Sequence, residues 1–252
     1  MRLDRLLMEK GLAPSRSKAS EWIREGYVRV SGSVVCKPAA EVDAEASIEI
    51  DDSLGRYVSR GALKLIDALD TWNIDVRGKQ CVDLGASTGG FTQVLLERGA
   101  DSVLAIDVGS DQLHPKLRQP RVYSLEHTNI RYLTAERLAA TCPVVRLPLS
   151  WICCDLSFIS LRHILPVISE LTSAGATLIA LIKPQFEVGP RYVGKGGIVR
   201  DDKARRKAIE DVTAMAVRAG FRLLAVKTSP IRGGDGNIEY LAHFERVEVV
   251  SE

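Results

Sequence analysis

Three charged residues stand directly beside apolar runs that are typical of buried strands: Asp155, Lys183 and Glu239. In a doubly wound sheet, ligands bind at the carboxyl ends of the parallel strands. Asp155 and Lys183 follow their runs, whereas Glu239 begins its run, so all three converge on one edge if the last strand is antiparallel. Carboxylates and an amine in one cleft can transfer protons. The alternative is that they are solubilising charges at strand ends.

A glycine-rich turn lies upstream of these residues. Residues 81–91 read Cys-Val-Asp-Leu-Gly-Ala-Ser-Thr-Gly-Gly-Phe, which predicts a short buried strand, a turn, and a helix that begins near Phe91. Glycines at such a turn can adopt positive φ and let a ligand approach the backbone, and the free N–H groups of the helix start point at that ligand. Asp107 closes the next predicted strand, at roughly the 20-residue spacing where an acid binds a ribose hydroxyl. We therefore expect a nucleoside-containing cofactor, with an ordinary strand–turn–helix unit as the alternative.

The details of the turn distinguish between two cofactors. Its glycines follow the spacing Gly85-x-x-x-Gly89-Gly90, which departs from the G-x-G-x-x-G of dinucleotide sites. Asp83 lies shortly before the first glycine, where an anion would repel a pyrophosphate but suits a cofactor with an amino group and a sulfonium. The pattern Asp-x-Gly-x-x-x-Gly resembles that of S-adenosylmethionine-dependent methyltransferases. S-adenosylmethionine is therefore the expected cofactor, and NAD is the alternative.

The bulk composition limits the class of protein. A chain of 252 residues has room for one large α/β domain and a small one. The net charge of +2 means that any nucleic-acid surface is local. Neither the five cysteines nor the four histidines show a metal-ligand spacing, so we expect buried reduced thiols and no metal. The sequence shows no signal peptide and no apolar run of about 18 residues, so we expect a cytoplasmic protein that does not enter a membrane.

Strands and helices alternate from Cys81 onward, which predicts a mainly parallel, doubly wound α/β sheet. The last connection, residues 232–237, is too short for a parallel crossover, which needs about a dozen residues or more. We therefore expect a Rossmann-like sheet of seven strands whose last strand is antiparallel, as in methyltransferases and unlike the NAD-binding fold. The strands are expected near residues 81–84, 102–107, 121–125, 150–154, 176–182, 222–228 and 238–245, and the helices near 59–72, 91–98, 133–140, 161–172 and 203–219.

The first 37 residues predict a small α+β domain with a basic surface. Leucines at helical spacing in residues 2–10, a second helix around Trp22, and a hairpin over residues 27–36 follow one another. This segment carries eight Lys or Arg residues against four acids, whereas residues 41–52 carry six acids. We expect Arg16, Lys18 and Arg24 to share one face of the second helix and to contact RNA phosphates, with a solvated face as the alternative.

The same segment resembles the S4 RNA-binding domain. The similar pattern is Arg-Leu-Asp-Arg-Leu-Leu, then Gly-Leu-Ala-x-Ser-Arg-Ser-Lys-Ala, then Ile-Arg-Glu-Gly-Tyr-Val-Arg-Val-Ser-Gly, within about the first 50 residues. The resemblance implies RNA binding by a domain at residues 1–52, followed by a linker at 53–58 and a second domain at 59–252. The expected RNA-binding residues are Arg2, Arg5, Arg16, Lys18 and Arg24.

The second part of the chain carries four further motifs, which are Tyr57-Val58-Ser59-Arg60-Gly61-Ala62-x-Lys64-Leu65, Asp155-Leu156-Ser157-Phe158-Ile159-Ser160-Leu161, Lys183-Pro184-Gln185-Phe186-Glu187-Val188-Gly189 and Gly236-Asn237-x-Glu239-Tyr240. With these motifs, the sequence from Tyr57 to Glu245 resembles the FtsJ-like 2′-O-ribose methyltransferases, and with the S4-like domain in front it resembles the TlyA family, which is also named as haemolysins. The resemblance implies S-adenosylmethionine as cofactor and methylation of a cytidine ribose in ribosomal RNA, in one or both subunits. The short chain ends resemble the form that acts on the large subunit. A monomer is favoured over an oligomer. The residues implied to bind the cofactor are Asp83, Gly85, Ala86, Ser87, Thr88, Gly89, Gly90, Phe91, Asp107, Val108, Asn129 and Asp155.

The resemblance also implies a catalytic tetrad of Lys64, Asp155, Lys183 and Glu239. On periodicity alone, Lys64 lies opposite the apolar stripe of its helix and is expected to face solvent. Membership of the tetrad would instead turn that face toward the active site. A ribose hydroxyl is a poor nucleophile and needs a positioned base, and a lysine accepts a proton only when neutral, which burial beside a second cation favours. Lys183 is the expected base and Lys64 orients the hydroxyl, while the two acids hold the lysines without a metal.

Three other classes of function are open at this point. A base-N-methyltransferase would carry an Asp/Asn-Pro-Pro-aromatic loop, but Asp155-Leu156-Ser157-Phe158 lacks both prolines. A membrane-damaging haemolysin would need an apolar span or a membrane-seeking amphipathic helix, neither of which the sequence shows. An RNA-binding module with an inactive enzyme domain conflicts with an intact tetrad.

Overall fold

The computed structural model of the chain describes residues 1–24, 26–51 and 56–248. Residues 53–55 of the predicted linker, and with them the predicted boundary after residue 52, lie outside the described residues, as do residues 249–252. Within the described ranges, every helix is too short or too polar to cross a membrane.

The N-terminal domain confirms the predicted order of helix, helix and hairpin. Its two helices pack on a three-stranded antiparallel sheet of order β2-β1-β3. Leucines one helical turn apart, Leu3 and Leu7, meet Ile23 and Val28 in its core. The third strand was not predicted, although Ile48 and Ile50 alternate there with an exposed glutamate, as in a half-buried strand. The elements are α1 (Leu3–Glu9), α2 (Arg16–Arg24), β1 (Val28–Val30), β2 (Ser33–Val34) and β3 (Ile48–Ile50).

The second domain is a seven-stranded sheet of order β6-β5-β4-β7-β8-β10-β9. The last strand, β10, is antiparallel to both of its neighbours, which confirms the expectation from the short connection before it. Its elements are α3 (Ala62–Thr71), β4 (Gln80–Leu84), α4 (Gly90–Glu97), β5 (Ser102–Ile106), β6 (Val122–Leu125), α5 (Ala135–Thr141), β7 (Leu149–Cys154), α6 (Leu165–Leu171), β8 (Thr172–Ile182), α7 (Pro184–Glu187), α8 (Asp202–Arg218), β9 (Phe221–Thr228) and β10 (Tyr240–Arg246).

Apolar side chains cover both faces of the central strands. In β7, Trp151 and Cys153 belong to the core beneath α3 and α4, whereas Ile152 and Cys154 belong to the core beneath α6 and α8. A strand that is buried on both faces reads as a continuous apolar run. This explains why these strands could be located from the sequence.

Several element boundaries differ from the predicted ones. The helix predicted at 161–172 is a 3-10 turn at Leu161–His163 followed by α6, because Pro166 lacks an N–H and fits only the first turn of a helix. Asp107 follows β5 instead of closing it, and Glu239 immediately precedes β10. These shifts leave Asp107, Asp155, Lys183 and Glu239 on the same edge of the sheet.

A close contact between helices fixes the start of α3 against this edge. Gly90 begins α4, and a Cβ there would lie 2.2 Å from Ser59 Oγ and 3.1 Å from the main-chain nitrogen of Ala62. Only glycine allows this approach. The two helix starts therefore meet above the end of β4, where the glycine turn lies.

Candidate active site

Four side chains form a chain of alternating charges at the carboxyl edge of the sheet. Lys64 Nζ lies 2.8 Å from Glu239 Oε2 and 3.1 Å from Asp155 Oδ2. The other carboxylate oxygen of Asp155, Oδ1, lies 2.6 Å from Lys183 Nζ. The structure therefore brings together all four residues of the predicted tetrad, and Asp155 bridges the two lysines.

The charge states of the tetrad follow from burial and from these pairings. Burial alone would lower the pKa of Lys64, but the carboxylates of Asp155 and Glu239 outweigh it and raise that pKa. Burial would raise the pKa of Asp155, but Lys64 and Lys183 lower it to about 2. Lys64 is therefore an ammonium and Asp155 a carboxylate at neutral pH, as buried charges require when they are paired.

The structure corrects the expectation, based on periodicity alone, that Lys64 faces solvent. Lys64 is buried, with a relative exposure of 6%. The apolar stripe of α3 packs on the sheet, while the polar side of the helix turns toward the sheet edge that carries Asp155 and Glu239. Helical periodicity shows which side of a helix is polar, but it does not show whether solvent or another part of the protein faces that side.

Two further polar side chains hold the ends of the tetrad. Lys183 Nζ donates to Ser157 Oγ at 2.9 Å, and Gln185 Nε2 donates to Glu239 Oε1 at 3.3 Å. Ser157 and Gln185 were not among the residues predicted from the sequence. The available signal was their position, since each lies two residues after a tetrad member, Ser157 in the loop after β7 and Gln185 in the short helix α7 after β8.

A cleft of about 480 Å³ opens beside the tetrad. We call it the cofactor cleft. Of the residues expected to bind a cofactor, it is lined by Gly85, Ser87, Asp107, Val108, Asn129 and Asp155. Sequence analysis missed the remaining lining residues, which are Gln112, Ile130, Leu156, Ser157, Phe158, Ile159 and Ile164.

The backbone of the glycine turn forms the floor of the cofactor cleft. Gly85 has φ +83°, and a Cβ there would lie 2.7 Å from the carbonyl oxygen of Asp155. Ser87 N donates to Asp107 Oδ2 and Gly109 N donates to Asp107 Oδ1, both at 2.8 Å. Asp107 therefore holds the turn and keeps its carboxylate at the cleft, where its contact with a ribose stays a prediction.

The other residues expected to bind a cofactor lie outside the lining of the cleft. Ala86 and Phe91 pack in the core beneath α3 and α4, and Thr88 lines a different cleft between the two domains. Gly89, with φ +96°, packs against Leu117, where a Cβ would lie 2.3 Å from Cδ1. Gly90 contacts Ser59, as described above. Cofactor contacts of these residues stay a prediction.

Asp83 is buried behind the turn. Its relative exposure is 1%, and it accepts hydrogen bonds from Thr92 Oγ1 at 2.7 Å and from Cys153 Sγ at 3.8 Å. Its carboxylate thus ties α4 to β7 beneath the cleft. A direct contact between Asp83 and a cofactor stays a prediction.

A basic groove lies on the N-terminal domain. Arg2, Arg16, Arg24 and Lys37 line it, and we call it the N-terminal groove. Buried Asp4 organises it by pairing with Arg2 at 2.8 Å and Arg16 at 2.9 Å. These hydrogen bonds, led by that of Arg2, keep the pKa of Asp4 well below its usual range.

Lys18 and Arg5 lie outside this groove, so the expectation that Arg16, Lys18 and Arg24 share one face was wrong. Lys18 pairs with Glu21 at 2.9 Å and lines the cleft between the domains. Residues two apart on a helix point about 200° apart, because each residue turns it by about 100°. Arg16 and Lys18 therefore point to nearly opposite sides of α2.

Comparisons with known proteins agree with this arrangement. The family profile for FtsJ-like methyltransferase matches residues 57–246, and that for the S4 domain matches residues 1–48. The chain is 46% identical, over 95% of its length and 87% of the relative, to the 16S/23S rRNA (cytidine-2′-O)-methyltransferase TlyA of Mycobacterium tuberculosis. It is 36% identical, over 97% of its length and 99% of the relative, to the 23S rRNA (cytidine-2′-O)-methyltransferase TlyA of Campylobacter jejuni.

A solved structure is similar over nearly the whole chain. It is described as a hemolysin from Streptococcus thermophilus, and it matches with a TM-score of 0.76 and 41% identity, covering 98% of this chain and 89% of the other. Both domains of the fold are therefore found together in a relative.

Asp83 should make stability depend on pH between about 4 and about 7. Burial raises the pKa of its carboxyl from 3.8 to about 7, against the hydrogen bond from Thr92. Between these values the unfolded chain releases the proton while the folded protein retains it, so the free energy of unfolding falls as pH rises, by up to about 1.4 kcal/mol per pH unit. Asp83→Asn lacks this contribution. The difference in free energy of unfolding between Asp83→Asn and wild type, measured by urea unfolding, should change with pH between about 4 and about 7 and be constant above that range.

Asp75→Asn is the matched control for this experiment. Arg77 holds the pKa of the exposed Asp75 carboxyl at about 2, which is below the window. Parallel stability curves for wild type and Asp83→Asn across the window would contradict the raised pKa.

Proposed function

The chain belongs to the FtsJ-like methyltransferase family and carries an S4 domain, and from that premise we propose that it methylates the 2′-hydroxyl of a cytidine in ribosomal RNA with S-adenosylmethionine. The observation that carries the proposal is the buried Glu239–Lys64–Asp155–Lys183 chain of charges beside the cofactor cleft. Residues 1–52 bind the RNA and residues 59–252 catalyse the reaction, with 53–58 as the linker. The protein acts in the cytoplasm, where its substrate is found.

The large ribosomal subunit is the proposed substrate. The relatives from M. tuberculosis and C. jejuni are named for 16S/23S and for 23S rRNA, respectively. The two names share 23S rRNA, which belongs to the large subunit. Methyl transfer to the large and to the small subunit therefore has to be measured separately.

The cofactor cleft fits S-adenosylmethionine. Its floor is a glycine whose Cβ would crowd the carbonyl of Asp155, and its wall carries the carboxylate of Asp107 beside the amide of Ser87. An acid at this place suits a ribose hydroxyl. When bound, S-adenosylmethionine supplies an electrophilic methyl group. Asp107 and the Gly85–Ser87 backbone would hold its adenosine, and Val108 and Asn129 would border it.

The two lysines of the tetrad have different roles. Lys64 lies between two carboxylates that raise its pKa, so it keeps its proton and can hold the hydroxyl oxygen by charge. Lys183 contacts one carboxylate and the hydroxyl of Ser157. Lys183 is therefore the group proposed to accept the proton of the ribose hydroxyl. Asp155 and Glu239 keep both lysines in place, so alignment of the hydroxyl supplies much of the rate.

An exposed aromatic ring at the cleft supports a nucleotide as the methyl acceptor. Phe158 has a relative exposure of 91% and φ +65°, and its ring lies 5.3 Å from that of Phe186. An apolar ring held in solvent next to buried catalytic groups suits stacking with an unpaired base. This favours a splayed-out nucleotide of RNA over a small hydroxyl compound.

Methyl transfer to isolated ribosomal subunits tests the proposed function directly. The purified protein is incubated with methyl-labelled S-adenosylmethionine and with each subunit separately, and the RNA is digested to nucleosides. We expect label in 2′-O-methylcytidine from the large subunit. Label in a methylated base would support a base-N-methyltransferase instead, and no label in either subunit would contradict the proposal.

Replacement of Lys183 tests the mechanism. Lys183→Ala should lower turnover by on the order of 10²-fold or more while leaving cofactor affinity nearly unchanged. Lys183→Arg should be no more active, because a guanidinium cannot be deprotonated in this pH range.

The matched control is Lys207→Arg, since Lys207 is a surface lysine of α8 that pairs with Asp211 at 2.6 Å. Its turnover should equal that of wild type. If Lys183→Arg is also nearly as active as wild type, Lys183 acts by charge alone and is not the base.

The N-terminal groove should contribute most of the ionic part of RNA binding. Arg24→Ala combined with Lys37→Ala removes two groove cations. The affinity for rRNA should fall, and the slope of log K against log salt should become shallower by about one to two units. Lys18→Ala is the control on the opposite side of the same helix and should leave the slope unchanged. If Lys18→Ala lowers the affinity for rRNA and the salt slope as much as the double variant does, the groove is not the RNA-binding face.

A further inference from the structure

The segment directly before α3 contacts three separate parts of the protein. Ser59 packs against Gly90 at the start of α4. Arg60 donates from Nη1 to the carbonyl oxygen of Gly26 at 3.2 Å, and from Nη2 to that of Arg232 at 3.1 Å. Gly26 belongs to the N-terminal domain, whereas Arg232 lies in the connection between β9 and β10. One guanidinium therefore joins the two domains at the edge that carries the tetrad.

The connection that Arg60 holds is packed directly on Glu239. A Cβ on Gly233 would lie 2.4 Å from Glu239 Oε1, so the chain next to Arg232 covers the carboxylate that pairs with Lys64. Ser229 N also donates to the carbonyl oxygen of Glu239 at 2.9 Å. Any shift of the main chain at Arg232 is thereby passed to Glu239.

Arg60 also fixes the other partner of the same ion pair. Its carbonyl oxygen accepts from Leu63 N at 3.1 Å, within the first turn of the helix that carries Lys64. The main chain of Arg60 thus sets the start of α3, and its side chain sets the turn before Glu239. Arg60 therefore contacts the start of α3 through its main chain and the turn before Glu239 through its side chain.

The contact with the N-terminal domain requires a glycine. Gly26 has φ +73°, and a Cβ there would lie 2.4 Å from Cζ and from Nη1 of Arg60. Arg60 is buried, with a relative exposure of 7%, and both acceptors of its guanidinium are main-chain carbonyls. Because the guanidinium is a rigid plane with donors in a fixed fork, displacement at Gly26 moves the donor that holds Arg232.

We infer that Arg60 is a positioning residue that couples the position of the N-terminal domain to the Lys64–Glu239 ion pair. The tetrad is then aligned only when the N-terminal domain contacts Arg60 through Gly26. The inference rests on the proposed methyl transfer. RNA binding by the N-terminal domain and alignment of the catalytic lysine are then linked through one side chain. A domain that is bound to RNA but displaced from Arg60 would leave the hydroxyl poorly aligned.

Two glycine substitutions in the full-length protein test this coupling. Gly26→Ala places a methyl group against Arg60, whereas Gly32→Ala, the matched control, has an equally left-handed φ of +77° but no atom of the described residues within 4 Å of its Cβ. We expect Gly26→Ala to lower kcat on large ribosomal subunits by roughly tenfold or more, with KM for the subunit and affinity for S-adenosylmethionine unchanged. Gly32→Ala should retain the wild-type kcat.

Variants of Arg60 and hydrogen exchange separate positioning from folding. Arg60→Ala should lower kcat as Gly26→Ala does, and Arg60→Lys, which can reach one carbonyl but not both, should restore part of it. In an Arg60→Ala background, Gly26→Ala should have no further effect on kcat. Amide hydrogens of residues 229–239 should exchange faster in Gly26→Ala than in Gly32→Ala, whether or not the protein is active.

The possible outcomes distinguish this inference from the proposed function. Equal kcat values for Gly26→Ala and Gly32→Ala, or a raised KM with an unchanged kcat in Gly26→Ala, would overturn the coupling. Methylation by the wild-type protein would still support the proposed function. If Gly26→Ala does not fold, a wild-type kcat in Arg60→Ala would overturn the coupling by itself. If wild type does not methylate RNA, the proposed function fails, and unchanged exchange over residues 229–239 would overturn the coupling separately.

Discussion

The carboxylate of Asp155 is the interaction on which the rest of the site depends. It pairs with Lys64 through one oxygen and with Lys183 through the other. Removing a charge from water costs several kcal/mol per ion, and only pairing with an opposite charge offsets that cost. Displacing one member of the tetrad would therefore leave its partner buried and unpaired. The strand ends and the start of α3 must therefore lie where these pairings are satisfied. The antiparallel β10 meets this requirement, because its reversed direction brings Glu239 to the edge that carries Lys183.

The same pairings divide the chemical work between two identical amino groups. Two carboxylates hold Lys64 as an ammonium, which can attract a hydroxyl oxygen but cannot take its proton. Among the described residues, Lys183 pairs with one carboxylate and donates to one hydroxyl, and it lies next to the loop that exposes Phe158. In the proposed mechanism, the site therefore combines a fixed positive charge, a proton acceptor and an aromatic surface within one edge of the sheet. That combination suits a ribose hydroxyl of an unpaired nucleotide.

The N-terminal domain contributes more than a basic surface. Its groove is organised by a buried acid, Asp4, which aligns two arginines, and the groove cations Arg24 and Lys37 are proposed to contact RNA phosphates. On another side, Gly26 contacts the guanidinium of Arg60, and through it the turn that covers Glu239. In the proposed coupling, RNA binding and catalytic geometry are connected by a short path of hydrogen bonds and packing, which gives a physical reason for the two domains to occur in one chain.

The sequence determined those features that arise from local patterns. Strands buried on both faces are continuous apolar runs, glycines mark the turn after β4, and the short connection before β10 excludes a parallel crossover. The candidate residues on the sheet edge could be named for the same reason, although the roles of the tetrad came from a resemblance.

Periodicity by itself could not show that Lys64 is buried, that Asp83 points beneath the cleft, or that Ser157 and Gln185 hold the lysine and the glutamate. Those facts depend on partners far away in the chain, since 91 and 175 residues separate Lys64 from Asp155 and Glu239. They follow from the three-dimensional packing, because the way the helices pack on the sheet determines which polar group faces another charge and which faces water.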